Sequence, residues 1–178
     1  LSILDGGLVH SSTGSLYVGA NGCGNMLSIM GGGRVQGAVG TIGFGFEASN
    51  NTATISGSGS VWSNSAMLYV GDTGSGNEMT ITDGGSVQNA IGTIGFAGRA
   101  SSNTVTISGS NSGWESSAWL DVGTSGSDNS LCITNGGRVQ NYDGYIGYES
   151  NAFNNAVVVT GTGSVWSNAG TLYIGGYY

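Results

Sequence analysis

The sequence predicts an all-β chain wound as a right-handed parallel β-solenoid (a β-helix), about 26 residues to a three-stranded coil and nearly seven coils in all. Three observations predict it. The tetrads Leu16-Tyr-Val-Gly19, Leu68-Tyr-Val-Gly71, Leu120-Asp-Val-Gly123 and Leu172-Tyr-Ile-Gly175 recur every 52 residues, as do Ile42-Gly43-Phe44, Ile94-Gly95-Phe96 and Ile146-Gly147-Tyr148. Inside the 52 lies a period of 26, kept without exception by Asn25, Asn51, Asn77, Asn103, Asn129 and Asn155, and by Ile3, Ile29, Ile55, Ile81, Ile107, Ile133 and Val159. Each 26-residue unit holds three strand-like runs separated by Gly, Ser and Asn, for example Leu68 to Val70, Met79 to Thr82 and Ser86 to Gln88. A unit that small cannot bury its apolar face alone and must stack on its neighbours. Residues 1–178 therefore read as a single repeat-built solenoid in which 52 residues are two alternating coils.

Within a unit, side chains of a strand alternate between its two faces. On the first strand Val18, Ile42, Val70, Ile94, Val122, Ile146 and Ile174 form one inward column. The Asn column follows at a corner, where a carboxamide can bond to the backbone and to the next Asn in place of the ladder. The second strand turns Leu27/Ile29, Ala53/Ile55, Met79/Ile81, Val105/Ile107, Leu131/Ile133 and Val157/Val159 inward. Gly33, Gly59, Gly85, Gly137 and Gly163 mark the next corner and are expected at positive φ. The third strand is expected to bury Val9, Val35, Val61, Val87, Val139 and Val165, with Gly113 breaking the column. The corner that follows alternates in length, 7 residues from Val35 to Ile42 against 9 from Val61 to Val70, and so does the Asn corner, 7 from Val18 to Asn25 against 9 from Ile42 to Asn51. Insertions confined to corners, with strand positions in phase, are what stacked coils demand. At about 4.8 Å per coil the rod is roughly 33 Å long.

Function, if it lies on the surface, lies in the outward columns. One is expected to run His10, Gln36, Trp62, Gln88, Trp114, Gln140, Trp166 and another Tyr17, Thr41, Tyr69, Thr93, Asp121, Tyr145, Tyr173. Exposed aromatic rows make sugar-stacking or protein-contact stripes, so the candidate contacts are Trp62, Trp114, Trp166, Tyr17, Tyr69, Tyr145 and Tyr173. The competing reading has the indoles capping a corner, half-buried by their neighbours. A third row, Ser28/Met30, Thr54/Ser56, Thr80/Thr82, Thr106/Ser108, Cys132/Thr134 and Val158/Thr160, has the threonine pattern of an ice-binding face, interrupted at Met30, Cys132 and Val158. Threonine is also simply a good strand residue.

The net charge of −7, with Arg34, Arg99 and Arg138 as the basic side chains, excludes a nucleic-acid surface and disfavours anionic membranes. No segment is long and apolar enough for a transmembrane helix, and with Leu1 already inside a repeat an excised or mature segment is expected. No catalytic, cofactor or metal site is expected. The chain has one His, no G-x-S-x-G, no phosphate loop leading into a helix and no calcium-binding nonapeptide. Asp121 and Asp143 are the acidic pair that adjacent coils could bring together, and a lyase-like site would also need a nearby Arg or Lys. Cys23 and Cys132 stand about four coils apart, roughly 19 Å, whereas a disulfide needs Cα atoms within about 7 Å.

The strings Gly-Ser-Val-Trp-Ser-Asn (59–64 and again 163–168) and Thr-Ile-Thr-Asp-Gly-Gly-Ser-Val (80–87) resemble repeats in passenger regions of bacterial autotransporter-like surface proteins, over essentially the whole chain. The resemblance implies an exported adhesin or surface structure and carries over no functional residue. Together with the Ser-, Thr-, Asn- and Gly-rich composition, it makes an extracellular structural or adhesive solenoid at a bacterial cell surface the leading expectation. A carbohydrate-binding solenoid for surface glycans is the rival, and a polysaccharide lyase or hydrolase is more distant. The chain enters at the second strand of a coil and stops at Tyr178, just after a first strand. Open solenoid ends expose ladder groups and apolar core, so end-to-end self-association into a fibre, or continuation in a longer array, is expected.

Overall fold

The computed structural model describes residues 1–176, and every regular element in that range is a strand. The expectation about the chain's end at Tyr178 lies outside the described residues. The strands stack in parallel as three ladders. The first is a seven-stranded sheet of Ser2–Ile3, Met26–Met30, Thr52–Ser56, Glu78–Thr82, Thr104–Ser108, Ser130–Thr134 and Ala156–Thr160. The second begins with Leu8–His10, Arg34–Gly37, Val61–Asn64 and Ser86–Asn89, and the third with Ser15–Val18, Val39–Ile42, Met67–Val70 and Ile91–Ile94. These two ladders join because the corner between them straightens into continuous strands at Gly113–Val122 and Arg138–Ile146, before Val165–Asn168 and Leu172–Ile174 separate again.

The first ladder keeps the 26-residue register throughout, as in Met79↔Val105 and Ile81↔Ile107. Its inward pairs from Leu27/Ile29 to Leu131/Ile133 are buried, and they form one core cluster with the Val18, Ile42, Val70, Ile94, Val122 column. Toward the ends of the stack the same columns lose their cover, and Val159 and Ile174 are exposed.

The second ladder departs from expectation. Its register runs Val35↔Trp62, Val87↔Trp62, Val87↔Trp114 and Val139↔Trp166, so its inward column is Val9, Val35, Trp62, Val87, Trp114, Val139, Trp166. From Val35 onward the spacing alternates between 27 and 25 residues, and a slip of one residue sends each side chain to the other face. Trp62 and Trp114 are therefore core residues, 0% and 1% exposed, and Trp166 is half-buried against the same core. The column of outward indoles does not exist; Ser63, Glu115 and Ser167 stand in register with the glutamines instead. Val61 and Val165 leave the inward column, and Gly113 does not break it. The extra residue sits in the corner before the Trp, where Ser60 Oγ donates to the Ser56 carbonyl at 2.8 Å and accepts from Gly32 N–H at 3.1 Å. Ser164 repeats the arrangement with Thr160 and Gly136.

Big and small side chains alternate between coils, which gives the 52-residue period a physical cause. Each indole lies against a glycine of a neighbouring coil. A Cβ on Gly40 would stand 2.7 Å from Trp62 Cζ2, one on Gly92 2.7 Å from Trp114 Cζ2 and Leu120 Cδ1, and one on Gly144 2.9 Å from Trp166 Cζ2. A Trp-and-Leu coil thus fits only beside a Val-and-Gly coil.

The Asn column forms as expected. Each Oδ1 accepts both the backbone N–H and the Nδ2–H of the Asn one coil earlier: Asn51 to Asn77 at 3.0 and 3.0 Å, Asn77 to Asn103 at 2.9 and 3.0 Å, Asn103 to Asn129 at 2.9 and 3.0 Å. The four central members are fully buried. The expectation of positive φ at the glycine corner holds at Gly59 and Gly163 (+81° and +79°) and fails at Gly33, Gly85 and Gly137. Those three are required for space, since a Cβ on Gly85 would stand 2.8 Å from the carbonyl carbon of Ile55.

Candidate functional site

The outward row of the third ladder runs Tyr17, Thr41, Tyr69, Thr93, Asp121, Tyr145, Tyr173, in the order expected. Two strand positions earlier, Met67, Ile91, Trp119 and Asp143 form a flanking row. On the other flank Gly95 and Gly147, at φ +75° and +69°, turn the chain so that Phe96 and Tyr148 follow the strand. Their rings meet the row edge to face: Tyr69–Phe96 at 5.3 Å and 65°, Tyr145–Tyr148 at 5.1 Å and 85°. Tyr145 and Tyr173 stack at 4.9 Å with planes 3° apart, so rings in this row lie one above another at about the coil spacing.

Asp121 interrupts that row. It stands where Tyr69 and Tyr173 stand 52 residues to either side, and where a ring is missing a cleft of about 290 Å³ opens. Tyr69 and Phe96 wall it at one end and Tyr145 and Tyr148 at the other, with Trp119 beside them and Thr93, Asp121 and Thr124 between. Asp121 is 6% exposed. Thr124 Oγ1 donates to its Oδ2 at 3.0 Å, while its Oδ1 is buried without a partner. Burial pushes the Asp121 carboxyl up to about 7, against the opposing effect of the Thr124 bond. Burial also raises Asp72, and it raises Tyr69 with a smaller contribution from the charge of Asp72. Tyr145 is raised by burial first, then by Asp143, Tyr173, Asp121 and Tyr148. None of the three arginines lines the cleft.

Of the residues singled out from sequence, Tyr69 and Tyr145 meet at this cleft and Tyr173 backs Tyr145 from the next coil. Tyr17 lies apart, edge-on to Phe44 at 4.9 Å. Trp62, Trp114 and Trp166 do not reach it, because they point inward. Asp143 pairs in register with Trp119, and its Oδ1 accepts the Thr171 N–H at 2.7 Å. The charges of Asp121 and Asp143 thus bear on one ring, Tyr145, but no basic residue of a lyase-like site lines the cleft. Sequence reasoning missed Phe96, Trp119 and Tyr148 as site residues. The available signal was the departure from the repeat: Leu-Tyr-Val-Gly becomes Leu-Asp-Val-Gly at 120–123, while Trp119 replaces the Met67 of the preceding copy.

Cys23 and Cys132 are both free thiols. Among the described residues no three His, Cys, Asp or Glu side chains gather as metal ligands, and no helix is long and apolar enough to cross a membrane. No family model, curated protein or solved structure matches the chain.

Proposed function

We propose that the chain is an extracellular structural or adhesive solenoid of a bacterial cell surface, a stiff non-catalytic rod. The observation that carries this reading is the Asn ladder, unbroken from Asn25 to Asn155, around a core that is continuous from coil to coil. Every coil transmits register to the next through backbone, carboxamide and apolar contacts together, which is the construction of a stalk. The Ser-, Thr-, Asn- and Gly-rich surface with few charges, and the autotransporter-like strings, support the surface location. Antibodies raised against this segment should label intact cells of the source organism; labelling only after lysis would contradict the location. End-to-end association belongs to the same reading, because the Asn ladder and the core pass the same contacts from each coil to the next. Rods that lengthen with concentration in micrographs and light scattering are expected, and a monodisperse monomer at high concentration would remove self-assembly. The rival reading, a face for surface glycans built from Trp and Tyr columns, is left with the Tyr column alone.

A further inference from the structure

The Asp121 cleft asks for a ligand of definite chemistry. Its walls are aromatic on two opposed sides, and each side is a pair of rings set at a steep angle, 65° for Tyr69–Phe96 and 85° for Tyr145–Tyr148. Phe96 and Tyr148 lie two coils apart, about 9.6 Å along the stack, so a group midway stands about 5 Å from each. That is within the range of about 6 Å over which a ring face attracts a cation. Between the walls lies one carboxylate, 6% exposed, with an oxygen that has no protein donor and is covered from solvent, so that a ligand N–H reaches it only as the carboxyl turns toward the cleft. Such an orphan carries a desolvation cost that a donor supplied by a ligand would offset. The other charges nearby, Asp72 beside Tyr69 and Asp143 beside Tyr145, have the same sign. A volume of about 290 Å³ is at the small end of ligand pockets, about 300–1,000 Å³, and suits a head group.

We propose that this cleft binds an alkylated ammonium group that keeps at least one N–H: the alkyl carbons lie against Phe96, Trp119, Tyr145 and Tyr148, and the N–H donates to Asp121 Oδ1. A quaternary ammonium satisfies the rings and leaves Oδ1 unpaired. A neutral saccharide satisfies Oδ1 and leaves the charge of Asp121 uncompensated, with Asp72 and Asp143 adding charge of the same sign. The site does not depend on the cellular setting of the rod, and it would stand if the surface location fell.

The test is an NMR titration of the whole chain with N,N-dimethylbutylammonium chloride and, separately, with a short peptide carrying dimethyl-lysine, following the Trp119 indole N–H and the Asp121 and Thr124 amides. Saturable shifts with either probe are expected, and a peptide that binds more tightly than the amine would point to a protein-borne ligand. Binding should be at least about tenfold weaker in the Asp121→Asn variant, the worth of one charge-assisted hydrogen bond. It should also weaken in the parent as pH falls through about 7, where Asp121 takes up its proton. The phenols of Tyr69 and Tyr145, both raised by burial, stay neutral over that range. Asp121→Asn should lose the pH dependence, whereas Asp72→Asn and Asp143→Asn should keep it. Tetramethylammonium should bind more weakly than the amine. No saturable shift at pH well above 7, unchanged binding in Asp121→Asn, or methyl glucoside binding as well as the amine and without pH dependence would each overturn the proposal.

Discussion

Asp121 is placed against the stability of the fold. Its carboxyl is held at about 7 from an ordinary 3.8 by burial. Between those two values the folded chain keeps a proton that the unfolded chain has released, so stability falls as pH rises from about 4 to about 7 and is level above. Three pKa units correspond to on the order of 4 kcal/mol, and Asp72 acts in the same direction. Asp121→Asn should therefore raise the midpoint of urea unfolding at neutral pH and flatten its dependence between acid and neutral pH; a variant less stable than the parent at pH 7 would contradict the burial of a carboxylate with one oxygen left without a donor. A group that lowers stability at working pH is what binding sites tolerate and structural positions do not. A second residue-scale mismatch lies at Trp62. Trp114 and Trp166 donate Nε1–H to Asn89 and Asn141 at 2.6 and 2.7 Å. The equivalent position before Trp62 is Gly37, in register with Asn64, and Trp62 Nε1, Asn64 Nδ2 and Asn64 Oδ1 are buried without partners. Gly37→Asn should supply the missing acceptor and donor and stabilise by about 1–2 kcal/mol. The added Cβ meets Gly14 O at 3.3 Å, close enough to require a small shift of half-buried Gly14, at the end of an exposed loop. Thermal unfolding checks it, and a lowered midpoint would mean that the loop cannot yield.

At the scale of strands and coils, the packing of indole against glycine is the feature that distinguishes one coil type from the other. Gly92→Ala drives a methyl to within 2.7 Å of Trp114 Cζ2 and Leu120 Cδ1 and should cost about 1–3 kcal/mol by overpacking. Trp114→Ala empties the same space and should cost about 3–5 kcal/mol. Denaturant titration of the two single variants and the double variant measures the coupling, which should be non-additive because the sites share one space. Purely additive losses would put the Trp elsewhere. This is also where the sequence was least legible. The first and third ladders could be read in full, because Ile81 recurs every 26 residues, while the Val70 column repeats the conspicuous Leu-Tyr-Val-Gly and Ile-Gly-Phe strings every 52 and so keeps its place although its spacing alternates between 24 and 28. The second ladder could not, because the corner before Trp62 holds one residue more than the corner before Val35, and a strict 26-residue period assigns Val61 to the core in place of Trp62. The cleft was half legible for a related reason. The Tyr row follows from periodicity, while Phe96 and Tyr148 lie beyond a positive-φ glycine, where alternation along the strand no longer tells which way a side chain points.

For the molecule as a whole, stacked coils of two alternating kinds make stability a sum of coil and interface contributions, so protection should be graded along the rod. Successive coils are bound through the Asn column and the core beneath it. The backbone N–H groups of Asn51, Asn77 and Asn103 test that claim, because each donates to a side-chain oxygen of the next coil at 2.9–3.0 Å and each residue is 0% exposed. In a sequence-local turn these amides would exchange within the dead time of an ordinary experiment. Native-state hydrogen exchange is the most direct measurement. The account predicts that the Asn77 and Asn103 amides exchange only through opening of the whole stack, as slowly as Ile81 and Ile107, with faster exchange at Asn25 and Asn155 toward the ends. Rapid exchange at Asn77 and Asn103 while Ile81 stays protected would contradict it.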